Sequence, residues 1–236
     1  MQRELLANGT EVYINETHRF GSDALLLAAF CNIKRAEAAC ELGTGCGVIP
    51  LRWHDRGHRG PCAAVELDGD ALALLRASLA QQNIAHIEPV CADLRAWRPD
   101  KLFDLVCCNP PYFTGGRKSR SEARAKARHE LTCTVADVCA AAAALLRGGG
   151  RLCMCQRPER LADVIAAMRA ACIEPKRLQF VAARAGKEPF LFLIEGQKNR
   201  APGVRVLTEL LMQREQGGPS EAVLAIYGKQ PKEDAL

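Results

Sequence analysis

Apolar segments of strand length alternate with helical segments along most of this 236-residue chain, and the alternation predicts an α/β fold. Two further observations support this prediction. A glycine-rich stretch, residues 43–47, follows the first strand of the series, and acidic residues stand near the ends of three strands, at Glu41, Glu66 and Asp93. We therefore expect a doubly wound, mostly parallel, seven-stranded Rossmann-like sheet. A hydrophobic content of 48% is enough for one domain with a full core.

An N-terminal extension, residues 1–36, precedes the alternating segments. It is predicted to contain a strand at 11–14 and a helix at 24–31. Ser22 or Asp23 is expected to cap the helix, because each stands just before apolar residues at helical spacing. We expect this extension to pack on the ligand site of the domain that follows.

Residues 37–196 are predicted to form the main domain, and residues 197–236 a C-terminal tail of the same globule. Gly148-Gly149-Gly150 is expected to end one helix and start the next strand. The strand at 189–195 is expected to be antiparallel to the others, because no helix before it is long enough for a crossover. The predicted strands are 38–42, 61–66, 87–90, 102–108, 151–155 and 189–195, and the predicted helices are 48–56, 69–82, 134–147, 159–171 and 221–227.

Charge and hydropathy indicate which partners and which cellular location to expect. The formal charge of +5 permits a nucleic-acid partner without requiring one. No apolar run approaches the ~20 residues that a membrane-spanning helix needs. Met1-Gln2-Arg3-Glu4 is not followed by the apolar region of a signal peptide. We therefore expect a cytoplasmic protein without a membrane partner.

The twelve cysteines are spread through apolar segments, and no pair has C-x-x-C spacing. A chain of this size does not need disulfides for stability, so they are predicted to be reduced core residues. Cys46, His54, His58 and Cys62 have the chemistry of metal ligands. Because Cys46 lies within the glycine-rich stretch, which has another predicted task, no metal site is expected.

The tetrapeptide Asn109-Pro110-Pro111-Tyr112 follows the apolar segment 102–108. An exocyclic or amide nitrogen is a poor nucleophile until acceptors hold its N–H groups, because its lone pair is delocalised. Asn109 offers a side-chain oxygen, and Pro110 offers a carbonyl in a chain that two proline rings restrict. Tyr112 offers a flat face for stacking, worth roughly 1–3 kcal/mol for a nucleobase. The tetrapeptide therefore predicts a methyl-acceptor site, although it also fits an ordinary proline turn.

The stretch from Glu41 to Gly47, Glu-Leu-Gly-Thr-Gly-Cys-Gly, stands at the first strand-to-helix turn, where a ligand can approach bare backbone. Gly43, Gly45 and Gly47 do not have the G-x-G-x-x-G spacing of nicotinamide dinucleotide sites, because position 48 is valine. Glu41, two residues before the first glycine, suits a cofactor with a cationic amine better than one with a pyrophosphate. These residues predict a nucleotide-type cofactor other than a nicotinamide dinucleotide.

Carboxylates at the next two strand ends extend the predicted ligand site. Glu66 can accept hydrogen bonds from both hydroxyls of a ribose, and Asp93 can accept from an adenine amino group. Each carboxylate alone could equally well be a solvent-exposed residue at the end of a strand. Because all of them are expected at the same edge of the sheet, binding to one common ligand is favoured. S-Adenosyl-L-methionine satisfies all of these groups and supplies the methyl that the Asn109 site requires. Asp23, Leu67 and Asn109 complete the residues expected to bind it.

A basic segment with six basic residues and one acid follows the tetrapeptide. It is predicted to contact the phosphates beside a target base, and each such contact would be salt-dependent. The alternative is a solvated surface loop, for which a charge run alone is also typical. The six residues are Arg117, Lys118, Arg120, Arg124, Lys126 and Arg128.

Taken together, these motifs resemble the class I methyltransferases with an Asn-Pro-Pro-Tyr motif, and among them the bacterial tRNA(Val) adenine-N6 methyltransferases. The resemblance covers nearly the whole chain and implies N6-methylation of an adenine near the anticodon of a valine tRNA, with S-adenosyl-L-methionine as cofactor and tRNA as partner. It rests on Arg19-Phe20-Gly21-Ser22-Asp23-Ala24, on Glu41-x-Gly43-x-Gly45-x-Gly47, and on Asn109-Pro110-Pro111-Tyr112-Phe113 followed by Ala127-Arg128-His129-Glu130.

Other acceptors also fit the tetrapeptide, because related enzymes methylate release-factor glutamines, guanine in ribosomal RNA, or adenine in DNA. We expect a longer N-terminal helical domain in the glutamine enzymes and a target-recognition domain in the DNA enzymes, and neither is evident here. Structured RNA is therefore favoured. A release-factor glutamine or a ribosomal RNA base stays as an alternative acceptor, and a cofactor-binding protein that docks RNA without methyl transfer is the non-enzyme alternative. The sequence leaves the oligomeric state open.

Overall fold

A computed structural model describes residues 1–110 and 133–228 of the chain, and the strands of this part form two sheets. An N-terminal hairpin pairs β1 (Gln2–Leu5) with β2 (Glu11–Ile14). All other strands belong to one nine-stranded sheet. They are β3 (Ala39–Leu42), β4 (Cys62–Glu66), β5 (Ile87–Cys91), β6 (Phe103–Cys108), β7 (Leu146–Gln156), β8 (Ile173–Ala182), β9 (Pro189–Lys198), β10 (Arg205–Val206) and β11 (Leu210–Leu211).

Seven longer strands of the large sheet lie in the order β8-β9-β7-β6-β3-β4-β5, and the two-residue strands β10 and β11 both pair with β8. Only β9 runs antiparallel to its neighbours among these described strands. The predicted seven-stranded, mostly parallel sheet is confirmed, and so is the antiparallel direction of the strand at Pro189. The parallel strands bring their carboxyl ends to one edge, where ligands bind in folds of this kind.

Helices cover both faces of the sheet. The alternating strand residues explain this arrangement, because Leu105 and Cys107 of β6 pack into one core while Val106 and Cys108 pack into the other. The helices of the described chain are α1 (Ser22–Phe30), α2 (Val48–Asp55), α3 (Gly69–Gln81), α4 (Val135–Leu145), α5 (Leu161–Ala170) and α6 (Glu221–Tyr227). Helices α1, α2 and α3 pack on the first core, and α4 and α5 pack on the second.

Two local predictions are wrong. Helix α1 is capped by Gly21 without a side-chain bond, and Ser22 and Asp23 lie in its first turn. A Cβ at position 21 would stand 2.6 Å from Asp23 Oδ1, so a bare backbone suits this position. The second error concerns β7, which begins at Leu146, so that the three glycines lie inside the strand rather than before it. They form an irregular stretch where the pairing with β6 shifts register.

The sequence also left four described strands unassigned, namely β1, β8 and the two-residue strands β10 and β11. All four residues of β1 are exposed, so the strand has no apolar alternation to reveal it. Strand β8 contains Pro175 and several polar residues, and its pairing with β9 is irregular between Pro175 and Arg177. A proline inside a strand normally argues against a strand assignment, and the irregular pairing is what accommodates it.

Free thiols occupy all twelve cysteine positions, and Cys91 and Cys172 are the exposed ones. Burial raises the pKa of Cys40 and Cys153 well above the ordinary value of a thiol, so both stay protonated at neutral pH. Within residues 1–110 and 133–228, no group of three or more histidine, cysteine or acidic side chains is arranged to hold a metal ion. None of the helices described has the length and apolar character needed to cross a bilayer.

Candidate functional site

The glycine loop between β3 and α2 turns through three residues of positive φ: Gly43 at 72°, Gly45 at 54° and Gly47 at 80°. The N–H groups of Gly43 and Thr44 donate to the Val65 carbonyl at 2.9 and 3.0 Å. These bonds fix the start of the loop to the end of β4. A left-handed backbone is accessible to glycine without steric cost, which explains the residue type at all three positions.

Glu66 ends β4 with only 8% of its surface exposed. Its Oε1 accepts from the N–H groups of Leu67 at 2.8 Å and Asp68 at 3.0 Å. Its Oε2 accepts from the N–H of Gly45 at 2.8 Å. The carboxylate therefore joins the turn after β4 to the glycine loop. Each carboxylate oxygen has two lone pairs, so Oε2 keeps acceptor capacity for a ligand.

Glu41 of β3 is 2% exposed and accepts a short hydrogen bond from the hydroxyl of Thr44. Burial raises the pKa of the Glu41 carboxyl well above its ordinary value, and the nearby Glu66 raises it further, against the lowering effect of the Thr44 bond. Through this hydrogen bond Glu41 stabilises the glycine loop.

Asp93 follows β5 and forms a two-point ion pair with Arg95, whose Nε lies 3.0 Å from Asp93 Oδ1. The Arg95 N–H also donates to the same oxygen at 2.9 Å. These bonds from the Arg95 side chain and backbone lower the pKa of Asp93 to about 2. The carboxylate is therefore charged at neutral pH and held in one orientation beside the cavity described below.

Asn109 and Pro110 directly follow β6, the central strand next to β3. The side-chain oxygen of Asn109 accepts a hydrogen bond from the thiol of Cys155 on β7, with 3.0 Å between Sγ and Oδ1. Cys155 is fully buried. Because the thiol approaches the oxygen of the amide, this contact favours one of the two ways in which the Asn109 amide can face.

A cavity of about 300 Å³ lies at the carboxyl edge of the sheet and is bounded by six of the predicted site residues. It brings together Gly43, Glu66, Leu67, Asp93, Asn109 and Pro110. Asp23, Glu41, Gly45 and Gly47 are not among the described residues that line it.

The lining fits a ligand with a nucleoside part. No atom of the described residues lies within 4 Å of the place where a Cβ on Gly43 would stand, so a ligand can approach the backbone there. Leu67, which is 55% exposed, and Asp93 both line the cavity. Apolar surface with a few convergent carboxylates is the usual make-up of a cofactor pocket.

Several lining residues escaped the sequence analysis, notably Arg95, Thr134 and Gln156. Thr134 caps α4 by accepting from the Asp137 N–H, so its place at the cavity follows from the start of that helix. Gln156 is the last residue of β7. The rule that ligand residues stand at the carboxyl ends of parallel strands could have identified Gln156, because the strand before it was predicted.

Two residues of the tetrapeptide, Pro111 and Tyr112, lie outside the residues that the structure describes. The same holds for the whole predicted basic segment. Those residues are Arg117, Lys118, Arg120, Arg124, Lys126 and Arg128.

A seven-stranded sheet of this order, with its loop, its carboxylates and Asn109 converging on one cavity, defines the class I methyltransferases. The chain belongs to the methyltransferase small domain family, whose model matches residues 6–171. Membership of this family makes the chain a methyltransferase that uses S-adenosyl-L-methionine, and the cavity lining is consistent with that cofactor.

Similar proteins carry a more specific description. The chain is 28% identical over 180 residues to a tRNA1(Val) (adenine(37)-N6)-methyltransferase of Parabacteroides distasonis, covering 75% of this chain and 76% of that protein. It is 32% identical over 177 residues to the Aeromonas hydrophila protein of the same name, covering 72% of each. A solved structure of a predicted O-methyltransferase from Agrobacterium tumefaciens covers 90% of this chain and 100% of its own, with a TM-score of 0.72. At 21% identity, that likeness shows the fold alone.

Proposed function

We propose that the protein transfers a methyl group to the N6 amino group of an adenine in tRNA, near the anticodon of a valine tRNA. The observation that carries the proposal is the position of Asn109 and Pro110, which line the same cavity as Glu66 and Asp93. The names of the relatives support tRNA as the substrate. A tRNA substrate in turn favours a cytoplasmic location. Residues 37–196 would supply the catalytic domain, with 1–36 and 197–236 as additions to it.

The cofactor residues would divide the ligand between them. Glu66 would accept from the ribose hydroxyls, and Asp93 from the adenine amino group with Leu67 against the ring. Gly43, Gly45 and Gly47 with Glu41 would shape the loop around the methionine end, and Asp23 and Asn109 would complete the contacts. When bound, S-adenosyl-L-methionine supplies an electrophilic methyl group.

The acceptor residues would orient the target amine. Asn109 Oδ1 and the Pro110 carbonyl can each accept one N–H of an NH₂ group, which favours a nitrogen geometry with a more available lone pair. The Cys155 thiol donates to Asn109 Oδ1 and so favours one direction for this oxygen. Pro111 would keep the chain direction rigid and Tyr112 would stack on the base. The methylated amine can release its proton to water, so the contribution of these residues is proximity and orientation.

The basic segment would hold the RNA. Arg117, Lys118 and Arg120, with Arg124, Lys126 and Arg128, would contact phosphates that flank the target base. An adenine in a folded RNA must be unstacked before it can enter the cavity.

The Asn109→Ala variant tests the proposal on unmodified valine tRNA, with N6-methyladenosine measured by mass spectrometry. We expect kcat to fall about 100- to 1000-fold, as when one oriented hydrogen-bonding group is removed from an active site. Cofactor affinity and melting temperature should change little. Asn109→Asp keeps an oxygen at the same place and serves as the matched control, with part of the activity retained.

Near-normal turnover of Asn109→Ala would show that the acceptor site lies elsewhere. A wild-type protein that methylates a release-factor glutamine or a ribosomal RNA base, and no tRNA, would leave the chemistry intact and refute the substrate.

A further inference from the structure

Gln156 is a buried amide in the wall of the cavity. It is 1% exposed, ends β7, and lines the cavity together with Asn109 and Pro110. Its Oε1 accepts from the N–H of Arg157 at 2.9 Å. This bond fixes the amide so that the oxygen faces the backbone, which leaves the NH₂ end of the side chain for the cavity.

Within residues 1–110 and 133–228, the bond that Oε1 accepts is the hydrogen bond found for the Gln156 side chain. Buried polar groups in native proteins are nearly always paired, and an exception at a ligand cavity indicates a partner that arrives with the ligand. A Gln amide nitrogen can only donate, so the partner must be an acceptor atom.

The order of the strands favours one of the two ligands as the source of this partner. The glycine loop, Glu66 and Asp93 stand at the ends of β3, β4 and β5, all on one side of Asn109. Gln156 ends β7, on the other side of β6. The donor therefore lies across Asn109 from the strands whose ends carry the predicted cofactor residues, which favours the methyl acceptor over the cofactor as its partner.

We propose that Gln156 determines specificity by donating a hydrogen bond to the ring nitrogen beside the amino group of the target adenine, N1 or N7. This inference rests on the proposed function. Adenine presents an N–H donor next to a nitrogen acceptor on both edges of its amino group. The Asn109 oxygen and the Gln156 nitrogen offer the complementary acceptor and donor on neighbouring strands. Guanine has O6 in place of the amino group. Two acceptor atoms, guanine O6 and Asn109 Oδ1, would then face each other without a hydrogen between them.

The test is the Gln156→Glu variant, which keeps Oε1 for the Arg157 N–H and replaces the donor with an acceptor of nearly the same size. We expect kcat/KM for unmodified valine tRNA to fall about 100-fold or more, with cofactor Kd within about twofold of wild type and an unchanged melting temperature. Gln156→Met removes the donor without adding charge and should reduce kcat/KM about 10- to 100-fold.

Atomic substitution in the RNA identifies the bonded nitrogen. The RNA carries 1-deazaadenosine or 7-deazaadenosine at the adenine that wild type methylates. Wild type should lose about 10- to 100-fold in kcat/KM on one of the two analogues. Gln156→Glu should show no further loss on that analogue, because it has no donor left to lose.

Three results would overturn the inference alone: full activity of Gln156→Glu on adenine, equal activity of wild type on both analogues and adenine, or a loss confined to cofactor Kd. A wild-type protein that methylates no tRNA adenine would instead refute the proposed function, and this inference with it.

Discussion

Gly47 and Gly45 provide a matched pair of substitutions, because both have a positive φ in the same loop but differ in their surroundings. A Cβ on Gly45 would meet no atom of residues 1–110 or 133–228 within 4 Å. A Cβ on Gly47 would stand 2.9 Å from Leu75 Cγ and 3.0 Å from Cδ2, with Cδ1 closer still. Leu75 lies on α3 and is fully buried in the core, so moving its side chain disturbs packed neighbours.

The magnitudes follow from this difference. Alanine in a left-handed conformation costs about 1–2 kcal/mol, and Gly45→Ala should lower the free energy of unfolding by that amount alone. Gly47→Ala should add an overpacking cost of about 1–3 kcal/mol. For a chain of this length each 1 kcal/mol corresponds to about 2–4 °C in melting temperature. Gly47→Ala should therefore melt roughly 2–12 °C below Gly45→Ala.

Thermal and urea unfolding of both variants, with and without cofactor, measure the effect. A Leu75→Ala background supplies the control, because removing the obstructing side chain should reduce the cost of Gly47→Ala to that of Gly45→Ala. Equal destabilisation by the two single substitutions would refute the reasoning, since it would show that Leu75 yields freely.

Three further predictions concern charged groups. Glu195→Gln should destabilise the protein by about 2–4 kcal/mol in urea, because Glu195 pairs with Arg151 at 3.2 Å and Arg177 at 2.7 Å. The substitution would take this carboxylate from Arg177 and leave Arg151 with Glu37. Burial, with the neighbouring imidazoles, lowers the pKa of His86 to about 4, so between about pH 6.5 and pH 4 the unfolded chain binds this proton more strongly than the folded chain. Stability should thus fall from about pH 6.5 towards pH 4, by about 1 kcal/mol near pH 5 after allowance for solvent screening, and His86→Gln should abolish that part. Glu66→Gln should weaken cofactor binding about 10- to 100-fold by calorimetry, because a charged acceptor is lost. An unchanged urea midpoint for Glu195→Gln would contradict the first expectation. The second would be contradicted if His86→Gln left the pH dependence of stability unchanged, and the third if Glu66→Gln left the cofactor Kd unchanged.

Most of the fold was accessible from the sequence because parallel strands buried on both faces are continuous apolar runs. The strands that begin at Ala39, Cys62 and Phe103 could be predicted from their own residues, without knowledge of the strands beside them. β8 could not be predicted in this way, since its proline and polar residues contradict strand propensity and its pairing with β9 joins it to the rest of the sheet. Pairing across long sequence separation is a tertiary effect that local patterns do not contain.

The candidate site was predictable at the level of which residues stand at the strand ends. Six predicted residues line one cavity because the carboxyl ends of parallel strands coincide. The side-chain pairings were not predictable. Arg95 turns back onto Asp93, and the Cys155 thiol reaches Asn109 from the adjacent strand. Both contacts depend on rotamers and on strand register, which a residue pattern does not specify.

The position of β9 between β7 and β8 has a consequence for the order in which the chain can assemble. Both neighbours are made first, yet each must wait for residues 189–198 before its inner edge is paired. During synthesis the apolar run Leu152 to Cys155 therefore presents an open strand edge while the following segments emerge. The hairpin formed by β8 and β9 is a local structure, so it can form quickly and close that edge as one unit.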